Sequence, residues 1–204
     1  MPAHKLVTEH PTALPTRRDQ ILAAAFARFQ RHGLEAVSMR TIAADVGMSP
    51  MGLYRHYADR DALVEAMVQE CLAAFARALR RAPVRGGASP RLRHLMRAYL
   101  DFAVTERAMY DLLFRATRPS SDPFLDEYKA GRSESFEMLR SAVSDVLSEG
   151  GGTGNAFDAA MSIWAQAHGL VSLYLAGRFG GGEPLFRRLY LRSVDRVIGS
   201  VVRG

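Results

Sequence analysis

Between residues 21 and 201 the apolar side chains of this sequence return every three or four positions, the period of a helix with one buried face, and no convincing strand interrupts them. Glycines, prolines and capping residues cut the pattern into about nine segments, so an all-α fold of about nine helices is predicted. Thr16 is placed to cap a first helix in which Ile21, Leu22, Ala25, Phe26 and Phe29 share a face, ending at Gly33. Ser38 opens a second helix to about Val46, Gly47 breaks it, and Ser49-Pro50 opens a third to about Tyr54 or His56. Asp59 caps a long fourth helix with Leu63, Met67, Cys71 and Phe75 on its apolar face, widened by Val64, Val68, Leu72 and Leu79, before Pro83 and Gly86-Gly87 end it. Beyond Ser89-Pro90 the period continues through Leu92, Leu95, Met96, Tyr99, Leu100 and Phe102, a turn near Glu106, then Met109, Tyr110, Leu113 and Phe114. Residues 119–123 read as a loop, 124–149 as a long helix, 150–155 as a glycine-rich connection, and 156–178 and 183–203 as two final helices.

The second and third segments carry the most specific local pattern. Two short helices that cross steeply need a small residue where their backbones approach and a glycine at the turn. Ala43 and Gly47 meet those needs, and Ile42, Val46, Met48 and Leu53 are spaced to fill the wedge against the first helix. On spacing alone the pattern suits either a helix-turn-helix or a helical hairpin that merely packs. The net charge of +6 favours a polyanionic partner without identifying one. Residues 1–60 carry +3 and residues 61–204 also +3, so the N-terminal part is the more basic per residue. Only Lys5 and Lys129 are lysines, and a GC-rich genome would produce the same arginine bias.

The stretch Leu34-Glu35-Ala36-Val37-Ser38-Met39-Arg40-Thr41-Ile42-Ala43-Ala44-Asp45-Val46-Gly47-Met48-Ser49, continued by Leu53-Tyr54-Arg55-His56-Tyr57 and Asp59-Arg60-Asp61-Ala62-Leu63, strongly resembles the DNA-binding domain of tetracycline-repressor-type (TetR) regulators. The resemblance covers about residues 16–68. It implies that the helix from Ser49 enters the major groove and that Arg40 reaches a base edge or a phosphate. Pro50, Met51 and Gly52 then form the exposed start of the reading helix, where Met51 offers only apolar contact, for example to a thymine methyl, and Gly52 lets the backbone come close. With so few polar side chains there, some reliance on DNA shape is expected. Ser38, Thr41, Ser49, Tyr54, His56 and Arg60 are the candidates for phosphate contact, and Met39 completes the DNA-binding set. Tyr57 is assigned to the core; the alternative for Tyr54 is a packing aromatic with its hydroxyl in water, and for His56 a solvated surface residue.

Trp164-Ala165-Gln166-Ala167-His168-Gly169 resembles the Trp-x-x-x-His-Gly signature of one TetR C-terminal subfamily, which implies a ligand-sensing and dimerisation domain. Trp164 and His168 lie one helical turn apart. With Phe102, Met109, Tyr110, Leu113, Phe114 and Phe136 they could line an apolar cavity for a flat or hydrophobic effector, acyl or aromatic, although each is also a plausible core residue. Ile163, Ala167, Leu170 and Tyr174 on one helix, and Phe186, Leu189, Tyr190, Val194, Val197, Ile198 and Val201 on the last, form stripes expected to make a four-helix dimer interface; alternatively both helices close their own subunit's core.

The resulting organisation is a flexible arm at 1–15, a three-helix helix-turn-helix domain at 16–62 and a helical-bundle domain at 63–204, with residues 72–79 as the lever between sensing and reading. The expected function is a ligand-responsive transcriptional repressor that binds a palindromic operator in double-stranded DNA as a homodimer, with half-sites roughly 34 to 36 Å apart. No cofactor and no catalysis are expected: there is no metal-ligand cluster, Cys71 has no histidine near it in sequence, and Gly150-Gly151-Gly152-Thr153-Gly154 lacks the lysine and preceding strand of a phosphate loop. The first fifteen residues lack the apolar core of a signal peptide and no run is long enough to span a bilayer, so cytoplasmic residence without membrane contact is expected. A non-sensing architectural DNA binder and a helical ligand carrier are the alternatives.

Overall fold

The computed structural model describes residues 14–81, 86–114 and 133–203, with side chains to residue 200. Nine α-helices and no strand occur among these residues, as the periodicity predicts. Most of the expected arm, the expected loop at 119–123, the start of the helix expected from 124 and the side chain of Val201 lie outside the described residues. The described residues fall into two compact units: one runs to Cys71 and includes 111–114, and the other comprises 72–110 and 133–203.

In the first unit α1 (Arg17–His32) and α2 (Met39–Asp45) are each opened by a reciprocal capping box, Thr16 with Asp19 and Ser38 with Thr41. A short 3-10 turn, Leu34–Ala36, joins them. α3 (Pro50–Tyr54) starts with the proline that its first position tolerates, and the Asp59 carboxylate accepts the Ala62 amide at 2.7 Å to cap α4 (Arg60–Arg80). α1 packs on α2 and α2 on α3, around Ile21, Phe26, Val37, Ile42, Leu53 and Tyr57.

The second unit is built from α5 (Ala88–Thr105), the first part of α6 (Arg107–Phe114), α7 (Glu134–Glu149), α8 (Ala156–Leu175) and α9 (Gly182–Arg203). α5 packs on α7, α7 on α8, α8 on α9, and α9 returns to α5, closing a core in which Leu92, Leu100, Ile163, Phe186 and Tyr190 are fully buried. α8 ends three residues before its expected limit at 178. Gly177 turns into the left-handed region at φ 72°, and the Arg178 amide folds back to the Leu173 carbonyl at 3.0 Å, which stops the helix. Gly87 at the N-cap of α5 has no side chain to offer; the Glu149 carboxylate from the end of α7 accepts the Ala88 amide at 2.8 Å instead.

Candidate nucleic-acid interface

The angle between α2 and α3 is held by local hydrogen bonds. Gly47 takes φ 65° at the turn, and the Met48 amide donates to the Ala43 carbonyl at 2.8 Å. The Ser49 hydroxyl accepts the Gly52 amide at 3.1 Å. From α1, the Arg28 guanidinium grips both oxygens of Asp45 at the end of α2, at 2.7 and 2.6 Å, and this contact draws the Asp45 pKa below the ordinary carboxylate value. Arg60 donates from two nitrogens to the carbonyls of Val37 (2.8 Å) and Leu34 (3.0 Å), tying the start of α4 to the chain that enters α2.

The remaining surface is basic and partly apolar. Arg40, Pro50, Met51, Tyr54 and Arg55 are exposed and His56 is half-buried. The side chains of Arg40, Tyr54, Arg55 and His56 make no hydrogen bond or ion pair among the described residues, and no acidic residue occurs from 46 to 57. Free guanidinium groups beside a protruding helix offer phosphate and base-edge contacts without first breaking an internal bond.

The second unit carries a polar chain in its aromatic interior. Tyr110 Oη lies 2.8 Å and Tyr99 Oη 3.1 Å from His168 Nδ1, the two hydroxyls lie 3.1 Å apart, and Ser172 Oγ is 3.4 Å from His168 Nε2. The Trp164 ring lies against the imidazole, 5.4 Å between centroids. One direction runs through the whole chain: Tyr99 donates to Tyr110, Tyr110 to Nδ1, and Nε2–H to Ser172. It requires neutral His168, and burial does lower the imidazole pKa. The unfolded chain therefore binds this proton more readily than the folded one. Stability is fully present above about pH 6.5, the ordinary histidine value, and falls as pH drops below it, by at most about 1.4 kcal/mol per pH unit. Urea midpoints at pH 7 and pH 5 should show this loss in the wild type and a smaller one in His168→Gln; equal losses would remove His168 as the cause.

The C-terminal half of the chain matches the family profile described as tetracyclin repressor-like, C-terminal domain, over residues 92–197, and the N-terminal part matches that of bacterial regulatory proteins, tetR family, over residues 21–67. The chain belongs to the TetR family. This TetR regulator is similar in structure to a protein of unknown function from Rhodococcus sp. RHA1, with 24% identity, a TM-score of 0.78, and coverage of 95% of this chain and 100% of that one. It is also similar to a bacterial regulatory protein of the tetR family from Rhodococcus RHA1, at 22% identity and a TM-score of 0.69, covering 90% and 96%. A third likeness is to the ketosteroid transcriptional regulator KstR2 of Mycobacterium tuberculosis, at 20% identity and a TM-score of 0.60, covering 93% and 96%. At these identities the likeness shows the fold. No curated protein matches the sequence. The TetR regulator is thus a DNA-binding transcription factor rather than an enzyme. The Trp-His-Gly subgrouping stays a resemblance.

Several residues singled out in the sequence have structural occupations. Met39 is buried, so its side chain packs beneath α2 instead of facing a groove. The Ser38 and Thr41 hydroxyls bond each other at 2.9 Å, and Arg60 is turned to backbone carbonyls; these three hold the reading unit in shape. Arg55 was not singled out by spacing, though it lies four positions after Met51, one turn along the same side.

Of the ligand candidates, Tyr110 and His168 come together in the polar chain, with Trp164 against the imidazole, and are joined by Tyr99, which spacing assigned only to the core. Phe102 meets Phe75 at 5.0 Å between ring centroids and Phe136 meets Phe157 at 5.5 Å. Met109 is buried in the second unit, whereas Leu113 and Phe114 group with the first. The interface stripe needs correction at six positions: Ile163, Ala167, Phe186, Tyr190, Val194 and Ile198 are buried within one chain and close its own core. An interface on these helices has to use their other faces.

Among the described residues no cluster of histidine, cysteine and acidic side chains could hold a metal ion, and no helix is long and apolar enough to cross a membrane. Burial pushes the Cys71 thiol up to about 12, so it holds its proton at neutral pH. Tyr57 is buried as expected, its hydroxyl has no hydrogen-bond partner among the described residues, and the Arg18 guanidinium lies over the ring 4.7 Å from its centroid. Tyr57→Phe keeps the ring and removes the unsatisfied group, so stability should rise by roughly 1 kcal/mol. A urea midpoint that falls would reveal a partner for that hydroxyl.

Proposed function

We propose that this TetR regulator is a cytoplasmic, ligand-responsive repressor that binds a palindromic operator as a homodimer. The observation that carries the homodimer is the outward side of α8. From residue 159 to 177 the chain has no Asp, Glu, Lys or Arg, yet Ser162, Ala165 and Leu173 are exposed, with Gln166, Gly169 and Leu170 beside them half-buried. A charge-free helix face of small residues in water favours close approach of a second helix, and a two-fold axis would bring α8 against its own copy. Tyr174, Leu189 and Val197 are half-buried and border that face on the same two helices. Arg188, Arg192 and Arg196 recur on the exposed line of α9, where self-contact would set like charges together, so α8 supplies the centre.

The reading head of each copy is α3, with Pro50, Met51, Gly52 and Tyr54 toward the groove, Arg40, Arg55 and His56 beside it, and Ser49 at its cap. Ligand response is supported by the Tyr99–Tyr110–His168 chain, a hydrogen-bonding group in an otherwise apolar interior that can orient a flat or hydrophobic effector. An effector that favours the non-binding arrangement by about 5.5 kcal/mol moves the population from 1:99 to 99:1. A selection from random DNA with the full-length protein at near-physiological salt tests the reading. An enriched inverted repeat with half-sites one helical turn apart supports it; no motif, with equal binding to many sequences, favours the architectural alternative.

A further inference from the structure

α3 is poor in hydrogen-bonding side chains. Pro50 and Gly52 offer none, Leu53 is buried, and the Ser49 hydroxyl sits at the cap, where it accepts the Gly52 amide. The helix exposes a thioether and a phenol, Met51 at 74% and Tyr54 at 48%, three positions apart and therefore neighbours on its surface, and Met51 at its exposed start has no polar hydrogen to offer. A Cβ at Gly52 would come within 3.3 Å of both Met48 Cε and Ser49 Oγ, so the absence of a side chain keeps the cap intact and the helix flat beside Met51. Methionine has no donor and only a weak acceptor, but its flexible, polarizable chain packs well on apolar groups. The major groove presents one such group, the C5 methyl of thymine.

We propose that Met51 is a specificity-determining residue that reads thymine in each operator half-site through its C5 methyl and not through its hydrogen-bonding edge. The inference rests on the DNA-reading role of α3 given above. Its consequence is that preference follows the methyl, whichever pyrimidine carries it. 5-Methylcytosine, paired with guanine, places the same methyl in the groove while replacing the thymine O4 acceptor by an amino donor. A base-edge reader rejects that exchange and a methyl reader accepts it.

The test uses the selected operator, resynthesised with each half-site thymine replaced in turn by uracil, cytosine or 5-methylcytosine, and titrated with the full-length wild type and Met51→Ala. At one position thymine and 5-methylcytosine should bind alike and uracil and cytosine roughly fourfold more weakly, the effect of burying one methyl-sized group. Met51→Ala should bind all four alike there. Uracil equal to thymine at every position, or a methyl preference that persists in Met51→Ala, overturns the inference while leaving DNA reading by α3 intact. Failure to select any operator overturns that underlying role as well.

Discussion

Leu53→Ala is expected to destabilise the DNA-binding unit by roughly 2–5 kcal/mol and to abolish operator binding. α3 has five residues, far too few for a helix to persist by itself, and Leu53 is its one buried side chain. The Leu53 carbonyl also accepts the amides of His56 and Tyr57 at 2.9 and 3.1 Å, so losing the anchor loosens the turn that carries Arg55 and His56. Met51→Ala, two positions away on the exposed side, should change stability by less than about 0.5 kcal/mol. Thermal melts of both variants, alongside titration with the selected operator, separate the anchor from the reader. Full operator affinity in Leu53→Ala would mean that α3 is held by something other than this side chain.

Gly169→Glu is expected to turn the proposed dimer into monomers and to weaken operator binding by roughly 10²–10⁴, the usual gain from linking two sites. The chain itself should tolerate the change. A Cβ at Gly169 meets nothing within 4 Å, and glycine in a helix interior costs about 1 kcal/mol relative to alanine, so most replacements favour the helix. A charge placed on this face cannot stay hydrated when α8 of a second copy closes over it. Sedimentation equilibrium at micromolar protein reads the outcome, with a melt to confirm that the fold persists. A variant that still sediments as a dimer would move the interface away from α8.

The parts legible in the sequence are those that residues three or four apart decide together. Thr16, Ser38, Ser49 and Asp59 were all readable as caps because each bonds the amide three positions on. The Ala43–Gly47 turn was readable for the same reason. An apolar stripe, in contrast, says that a face is covered without saying by which chain, so Phe186 and Tyr190 suited an interface and a core equally until their burial within one chain placed them. Arg60 and Tyr99 were assigned by type and position, a phosphate ligand and a core aromatic. Their partners, the Leu34 carbonyl 26 residues earlier and His168 69 residues later, come from distant parts of the chain.

Glu149 has a temporal consequence. The acceptor that completes the first turn of α5 is supplied 61 residues later in the chain. During synthesis at roughly 5–20 residues per second, α5 waits roughly 3–12 s for that carboxylate to exist. A nascent chain stopped short of residue 149 lacks that acceptor, and the first turn of α5 is left without its cap. Cutting the chain at the end of α7 therefore harms a helix that begins 61 residues earlier.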